Sequence, residues 1–520
     1  MRRRCLLLSL VSLLAMASAA QGASIIWVSD NKGFGSVEPN TPGDQGWVDL
    51  LTAQGHNVIY KNQHEYVDGQ QYWRTLDPNK VAELEAADLI ILSRNADSGS
   101  YSTAADNEPN QWNAVTTPLI SLSAHMSRVG GKWGWLNGTG TTLAKESLLK
   151  VVDPNHPVFA GVAIDPNGCV EALSAQWNVD WVKDVTDAGN GKILATRASD
   201  GLVSILTWEA GQKFFEAGAK TAGGPRMLFI AGTGSKNTAP NYAPDGMYNL
   251  TAAGEKMFLN AVTFMLNKGK SIVFVSSMHA STEDANVPGD RGFVELLRAA
   301  GYDVDYTAGS AAGTGYWEGT LDPNKVAVLD EADLIIVGRD CNSSGVANSD
   351  AQRAVWNSAK TPIMLMSSYI AANNRFKWLD SSSQDARKAY YDLKAIDPNH
   401  PLFEGVTLDP NNTVQWYDPN VASGYASFIN TADAGSGKVL AVRPDNGNIL
   451  IAEWPAGQET YAGSGQIPAD VRMLFNAGTQ EISGQKTNWG VMNLNAEGRK
   501  VWLNAVKYLL GLSPAPSPVE

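Results

Sequence analysis

The chain has 520 residues, 44% of them hydrophobic and 18% charged, a composition inside the globular range and a length that calls for more than one domain. Its formal charge of −13 argues against nucleic acid or an anionic membrane surface as partner, since both are bound through basic patches. Cys169 and Cys341 fall at unrelated points of the chain and no CxxC or Cys/His cluster is present, so no disulfide framework, metal or other cofactor is expected, although a single bridge between the two stays open.

The opening MRRRCLLLSLVSLLAMASAA joins a basic start, an apolar run from Cys5 to about Ala17 and small residues at Ala17, Ala19 and Ala20. It reads as a secretory signal peptide over residues 1–22 and implies a secreted or cell-surface protein. The run is too short for a membrane span, which needs about 20 apolar residues. Loss of Arg2, Arg3 and Arg4 would leave 37 basic against 53 acidic residues, a net charge near −16.

Ser24 to Ser29, SIIWVS, is then a short buried strand, and Asp44 to Gln54 an amphipathic helix with Trp47, Leu50 and Leu51 at helical spacing. NVIY is the next strand. DPNKVAELEAA is a helix with Asp77 as N-cap and Pro78 in its first turn, leading into the strand DLIILSR. TPLISLS, KILATR, LVSILTW and RMLFIAGT follow as further apolar runs, and TAAGEKMFLNAVTFMLN closes the series as a helix. Wholly apolar strands separated by helices predict a mainly parallel sheet covered on both faces, an α/β fold of three α/β/α layers, with β-rich and partly antiparallel material in the second half.

The series is then written again. TLDPNKVAELEAADLIILSRN, from Thr75, returns as TLDPNKVAVLDEADLIIVGRD, from Thr320; DPNHPVFAGV returns as DPNHPLFEGV, and RMLFIAGT as RMLFNAGT. The matches keep their order at an almost constant spacing, which predicts a tandem duplication: domains at 23–267 and 271–512, the hinge NKGK between them, and a Pro/Ser-rich tail at 513–520. A hinge so short predicts that the copies pack together as an internal pseudo-dimer.

The order of strand, helix, ADLIIL, PLISLSAHM and DPNHPVFAGV resembles the ThuA-like (trehalose utilisation) branch of the class I glutamine amidotransferase-like superfamily, and HPVFAG and HPLFEG are similar to its His-Pro-x-x-x-Gly element. The resemblance implies a flavodoxin-like fold. It also implies a nucleophile elbow, which falls on Ser123 in one copy and Ser367 in the other, where the amidotransferases have Cys. The late His-x-Glu pair of the superfamily is missing from both GMYNLTAAGEK and GVMNLNAEGRK, so glutamine hydrolysis is not expected and neither serine is assigned a catalytic role. His125 near Ser123 is matched by Tyr369; His156 and His400 are matched, but each sits in an Asp-Pro-Asn-His-Pro turn and reads as a loop-positioning residue.

Ligands of parallel α/β sheets gather at the carboxyl ends of the strands, where Arg94 and Arg339 are kept while Asn95 becomes Asp340 and Ala96 becomes Cys341. The arginines have two readings, a ligand contact or a pair with a neighbouring carboxylate. Asp44 and Asp290 read as helix caps. Aromatics in polar surroundings supply the other candidates: Trp73 and Trp317, with Trp133 and Trp135 in GGKWGWLNG, either stack on sugar faces or plug the core under loops, whereas Trp112 and Trp356 read as core. Three functions are weighed: an extracellular module binding polysaccharide or another glycan, an extracellular hydrolase using Ser123, Ser367 or the acidic rim, and a structural part of a cell-surface assembly.

Overall fold

The protein is described by a computed structural model over residues 22–30, 43–60, 72–103, 107–234, 245–277, 289–306, 316–389, 391–421, 425–480 and 490–512. The expected leader, up to residue 21, and the tail from 513 lie outside the described residues.

In the first copy the chain runs β1 (Ser24–Val28), α1 (Gln45–Ala53), β2 (Asn57–Ile59), α2 (Pro78–Glu85), β3 (Leu89–Leu92), α3 (Glu108–Ala114), β4 (Leu119–Ser121) and α4 (Ala124–Ser127). There follow β5 (Thr141–Ala144), β6 (Leu148–Val151), β7 (Cys169–Glu171), β8 (Val179–Val182), β9 (Lys192–Arg197), β10 (Val203–Trp208), β11 (Arg226–Phe229) and α5 (Ala252–Lys268). Nine strands form one sheet in the order β2-β1-β3-β4-β11-β10-β9-β6-β7. The pairs from β2 to β11 are parallel and those from β11 to β7 antiparallel, so a flavodoxin-like 2-1-3-4-5 sheet is extended on one edge by antiparallel strands. β5 and β8 form a separate two-stranded ribbon.

The second copy repeats this with β12 (Ser271–Val275), β13 (Asp303–Asp305), β14 (Leu334–Val337), β15 (Ile363–Leu365), β16 (Gln384–Ala389), β17 (Asp392–Ala395), β18 (Thr413–Gln415), β19 (Tyr425–Ile429), β20 (Lys438–Val442), β21 (Ile449–Trp454) and β22 (Arg472–Phe475). Its nine-stranded order, β13-β12-β14-β15-β22-β21-β20-β17-β18, is the same permutation, and β16 with β19 replaces the ribbon. Two tandem flavodoxin-like α/β domains result.

Burial follows the pleat. Ile272, Phe274 and Ile336 join one core cluster and Val273, Val275, Ile335 and Val337 another, so consecutive residues of one strand serve opposite faces and both faces are covered. Asp77 caps α2 as its sequence implies, accepting the Asn79 and Lys80 N–H groups at 2.9 Å each, and Asp322 does the same in the second copy. The hinge is shorter than NKGK: Asn267 and Lys268 complete the last turn of α5, which leaves Gly269 and Lys270 as the connection.

The repeated RMLF segments have a structural cause. Arg226, fully buried at the start of β11, turns its guanidinium onto the carbonyls that end α3: Nη1 donates to Thr117 O at 3.1 Å, and Nη2 to Trp112 O at 3.4 Å, Asn113 O at 3.2 Å and Val115 O. Arg472 repeats this on Thr361, Trp356, Asn357 and Ala359. A helix leaves its last carbonyls without intrahelical partners, and here one cation satisfies them inside the core. Burial pulls the Arg226 guanidinium down to about 9, so it stays charged at neutral pH. Replacing Arg226 by Met is expected to cost at least about 3 kcal/mol, because several buried acceptors lose their donor at once. Urea denaturation of the variant beside Arg291→Gln, which changes an exposed arginine, checks this; equal midpoints for the two would contradict it.

Candidate functional site

In a 2-1-3-4-5 sheet the connections leave β1 and β3 toward opposite faces, which opens a crevice at their carboxyl ends. Ser29 and Asp30 follow β1 there, and Ser93, Arg94 and Asn95 follow β3; all five are buried. Asp44 occupies the N-cap position of α1, but its backbone is helical (φ −82°, ψ −7°) and its side chain caps nothing. The carboxylate points inward and accepts the hydroxyls of Ser29 and Ser93. The cap reading is corrected accordingly: a single polar cluster ties β1, β3 and α1 together. Burial raises the Asp44 carboxyl to about 6 against the opposing pull of those hydroxyls.

The second copy keeps the acid and the first serine, as Ser276, but loses the second. Gly338 stands where Ser93 does and Asp340 where Asn95 does, and Asp290 likewise makes no cap hydrogen bond. Burial first, and the neighbouring Asp340 second, hold the Asp290 carboxyl well above the usual range. Gly490, at φ 67°, packs directly on this carboxyl and leaves no room for a Cβ. Cys341 is buried, donates to Val275 O at 3.2 Å, and has its thiol pushed far up by burial, the profile of an inert cysteine. Both Cys169 and Cys341 are free thiols.

Beside the crevice of the first copy lies a charged trio. Arg94 donates to Asp180 Oδ2 through Nε at 2.9 Å and through Nη2, and His125 Nε2 stands 3.2 Å from Asp180 Oδ1. Asp180 is delivered by β8 of the two-stranded ribbon, opposite Leu143, and is itself buried. Burial, the largest effect, raises its carboxyl, but His125 and Arg94 together overcome it and bring it down to about 2. The arginine thus takes the carboxylate of its two readings. His125 remains partly open, with 24% of its side chain exposed.

Its counterpart is neutral. Tyr369 replaces His125 and receives a 3.0 Å hydrogen bond from Gln480 Nε2, while Ser427 donates to Gln480 Oε1. Ser427 is the structural match of Asp180, since the next residue in each chain, Trp181 or Phe428, carries the cation–π contact of Arg197 or Arg443. Arg339 lies over the Tyr369 ring at 5.3 Å. One scaffold therefore sets its strand-end arginine on a carboxylate in one copy and over a neutral Tyr369–Gln480–Ser427 set in the other. Asp180 escaped sequence reading because its match is a serine shifted by one residue; its place within VDWV, an otherwise apolar strand, was the available signal.

The elbow serines are equally placed but not equipped. Ser123 has an ordinary extended backbone (φ −103°, ψ 109°), as has Ser367 (φ −113°, ψ 113°), without the strained turn of a nucleophile elbow. Ser123 Oγ accepts the Met126 N–H at 3.3 Å, and no hydrogen bond joins it to His125 among the described residues. Ser367 Oγ is buried and without a partner there.

The tryptophan candidates are corrected. Trp73, Trp133 and Trp135 are 0% exposed and Trp317 2%, so none offers a face to a sugar. Trp112, Trp133 and Trp135 form a ladder with centroids 5.2 and 5.7 Å apart; Trp135 Nε1 donates to Asn113 Oδ1 at 2.9 Å, and Trp133 Nε1 to Tyr101 O at 2.9 Å. The N–H groups of Trp133 and Trp135 are met from segments 32 and 22 residues away, and the glycines beside them, Gly130, Gly131 and Gly134 at positive φ, turn the chain around the buried rings.

No family model matches the chain, and no curated protein matches it. Among solved structures it is similar to the "Cytoplasmic Protein STM3548 from Salmonella typhimurium", at 13% identity and a TM-score of 0.28, covering 46% of this chain and 98% of that one. That likeness is too slight to carry any inference.

The Asp44 cluster has a pH signature. Below about pH 4 folded and unfolded chains both hold this proton; as pH rises toward 6 the unfolded chain releases it first, so stability falls, by about 3 kcal/mol in total for a shift from 3.8 to about 6. Asp44→Asn is expected to remove that fall. The check is the difference in urea midpoint between wild type and variant across this window, which is expected to grow with pH and level off above 6; a constant difference would contradict it.

Proposed function

We propose that the protein is an exported tandem amidotransferase-like binding module, with the Arg94–Asp180–His125 rim of its first copy as the ligand-facing site and an extracellular glycan as the ligand. The observation that carries this reading is the placement of Ser123: its hydroxyl accepts a helix-capping N–H while His125 faces Asp180, so the rim holds an acid, a base and a cation but no activated nucleophile. With the indoles in the core, sugar hydroxyls would be met by planar and charged hydrogen-bonding groups. The amidotransferase-like relationship and the export rest on the sequence resemblance and the leader.

A second reading, a hydrolase built on Ser123, is favoured by one contact, the 3.2 Å approach of Asp180 to His125, which resembles the orienting half of a triad. Its absence from the second copy and the unstrained elbow weigh against it. The protein without its leader is to be tested on a glycan array and against glycosides, esters and glutamine. Binding is expected to survive Ser123→Ala with Ser367→Ala and to fall about tenfold in His125→Ala, the loss of roughly one hydrogen bond from the partly open member of the rim. Hydrolysis by wild type that the double serine variant lacks would establish the second reading instead.

The internal pseudo-dimer is part of the proposal and rests on the hinge. Lys270 Nζ stands 3.2 Å from Asp88 and 3.8 Å from Asp333, the same aspartate in the two copies, and Asn267 Nδ2 donates to Ala300 O at 2.7 Å. Small-angle scattering is expected to show one compact particle; two lobes moving independently would refute it.

A further inference from the structure

A cleft of about 440 Å³ lies away from the carboxyl ends of the parallel strands, between the Asp-Pro-Asn-His-Pro turn of the first copy and the Arg291–Ala299 helix of the second. Its charged lining is His156, Lys192, Lys268, Arg298, Asp153 and Glu209, three permanent cations against two carboxylates in a chain whose total charge is −13. The balance of donors and acceptors is more one-sided than the charge. Asp153 is occupied by Lys192 Nζ at 2.6 Å and by Asn155 N–H at 3.2 Å, and both oxygens of Glu209 by Lys268 Nζ at 2.9 Å. Each ammonium carries three donors, so both lysines keep some unspent. Arg298 donates from Nη2 to Val304 O at 3.0 Å and retains the rest of its fork.

His156 adds a directed donor. Its Nδ1 accepts the Val158 N–H at 3.3 Å, which places the proton of the neutral ring on Nε2, and Nε2 has no hydrogen-bond partner among the described residues. Burial brings this imidazole down to about 4, so it is neutral at pH 7 and keeps one donor and one acceptor. The ring is clamped by Phe264 at 4.6 Å between centroids. In the second copy the matched His400 instead finds Glu453 at 4.0 Å, at the position that Thr207 holds in the first, so an acid already stands in front of that imidazole.

We propose that the cleft between the copies binds a small oxyanion, a phosphoryl or carboxylate group, held by the Nε2–H of His156, the Lys192 and Lys268 ammoniums and the guanidinium of Arg298. Because Arg298 comes from the other copy, occupancy ties the two domains together, and the site exists only at their junction. It is separate from the strand-end rim and stands or falls without it.

The test uses the full chain without its leader, titrated calorimetrically at low ionic strength with inorganic phosphate, glucuronate and, as neutral counterpart, glucose. Phosphate, glucuronate or both are expected to bind with a dissociation constant of about 1 mM or tighter, and glucose not at all; which of the two anions binds tells a phosphoryl from a carboxylate ligand. Arg298→Gln and, independently, Lys192→Gln are each expected to weaken binding about tenfold, whereas Arg291→Gln, the same charge change at an exposed position on the same helix, leaves it unchanged. Glucose binding as well as glucuronate, all three variants weakening alike, or no anion binding to the wild type would overturn the proposal.

Discussion

A buried arginine at the start of the fifth parallel strand is the constraint on which each domain turns. Arg226 and Arg472 stand where the sheet changes character, with a parallel neighbour on one side and an antiparallel one on the other. A cation buried this deeply needs partners, and both terminal nitrogens find them in the carbonyls at the end of the helix before β4 or β15 and at the entry to that strand, while Nε has none among the described residues. The arrangement fixes where that helix stops, and hence where the next strand begins. It also seats the tryptophan ladder, since Asn113, whose carbonyl accepts from Arg226, also bonds Trp135 Nε1 and Trp133 O through its side chain.

With that frame rigid, the carboxyl ends of the strands were free to diverge. The first copy assembles Arg94, Asp180 and His125 into a charge-assisted set, while the second places Arg339 over the neutral Tyr369, Gln480 and Ser427 on the same backbone. Deeper in the crevice the direction reverses: Asp44 keeps two hydroxyl donors, whereas Asp290 lies beside a second acid. A duplicated scaffold thus carries two chemically distinct rims, one with a partly open imidazole and one without a charged acceptor at the Asp180 position.

The strands β1–β4 and β9–β11, the α2 cap, the duplication and the parallel-to-antiparallel change were legible because each is a local pattern: apolar runs, Asp-Pro at a helix start, repeated words; β5–β8 were not read as strands. The site was less legible, because its members meet only in space. Arg94 could be named from its strand end, but its partner Asp180 sits 86 residues away on a ribbon with a shifted register in the other copy. Asp44 has the sequence context of a cap; what turned it inward was the pair of serines at the ends of two other strands. Trp133 and Trp135 misled for a related reason, since the groups that meet their buried N–H come from distant segments, and the glycines that turn the chain around them look like solvent-exposed loop.

The histidine turn shows how one repeated word can serve two ends. In both copies the ring nitrogen Nδ1 is consumed by the backbone two residues on, so the turn geometry alone accounts for keeping His156 and His400. The opposite nitrogen is what distinguishes them. In the second copy it faces Glu453, held in place by the Tyr508 hydroxyl, whereas in the first the corresponding positions are Thr207 and Phe264. The acid is displaced rather than lost: Glu209 stands where the second copy has Pro455, and Lys268 occupies it, so nothing among the described residues faces the imidazole of His156 as Glu453 faces that of His400, and Arg298 of the second domain adds its donors beside it.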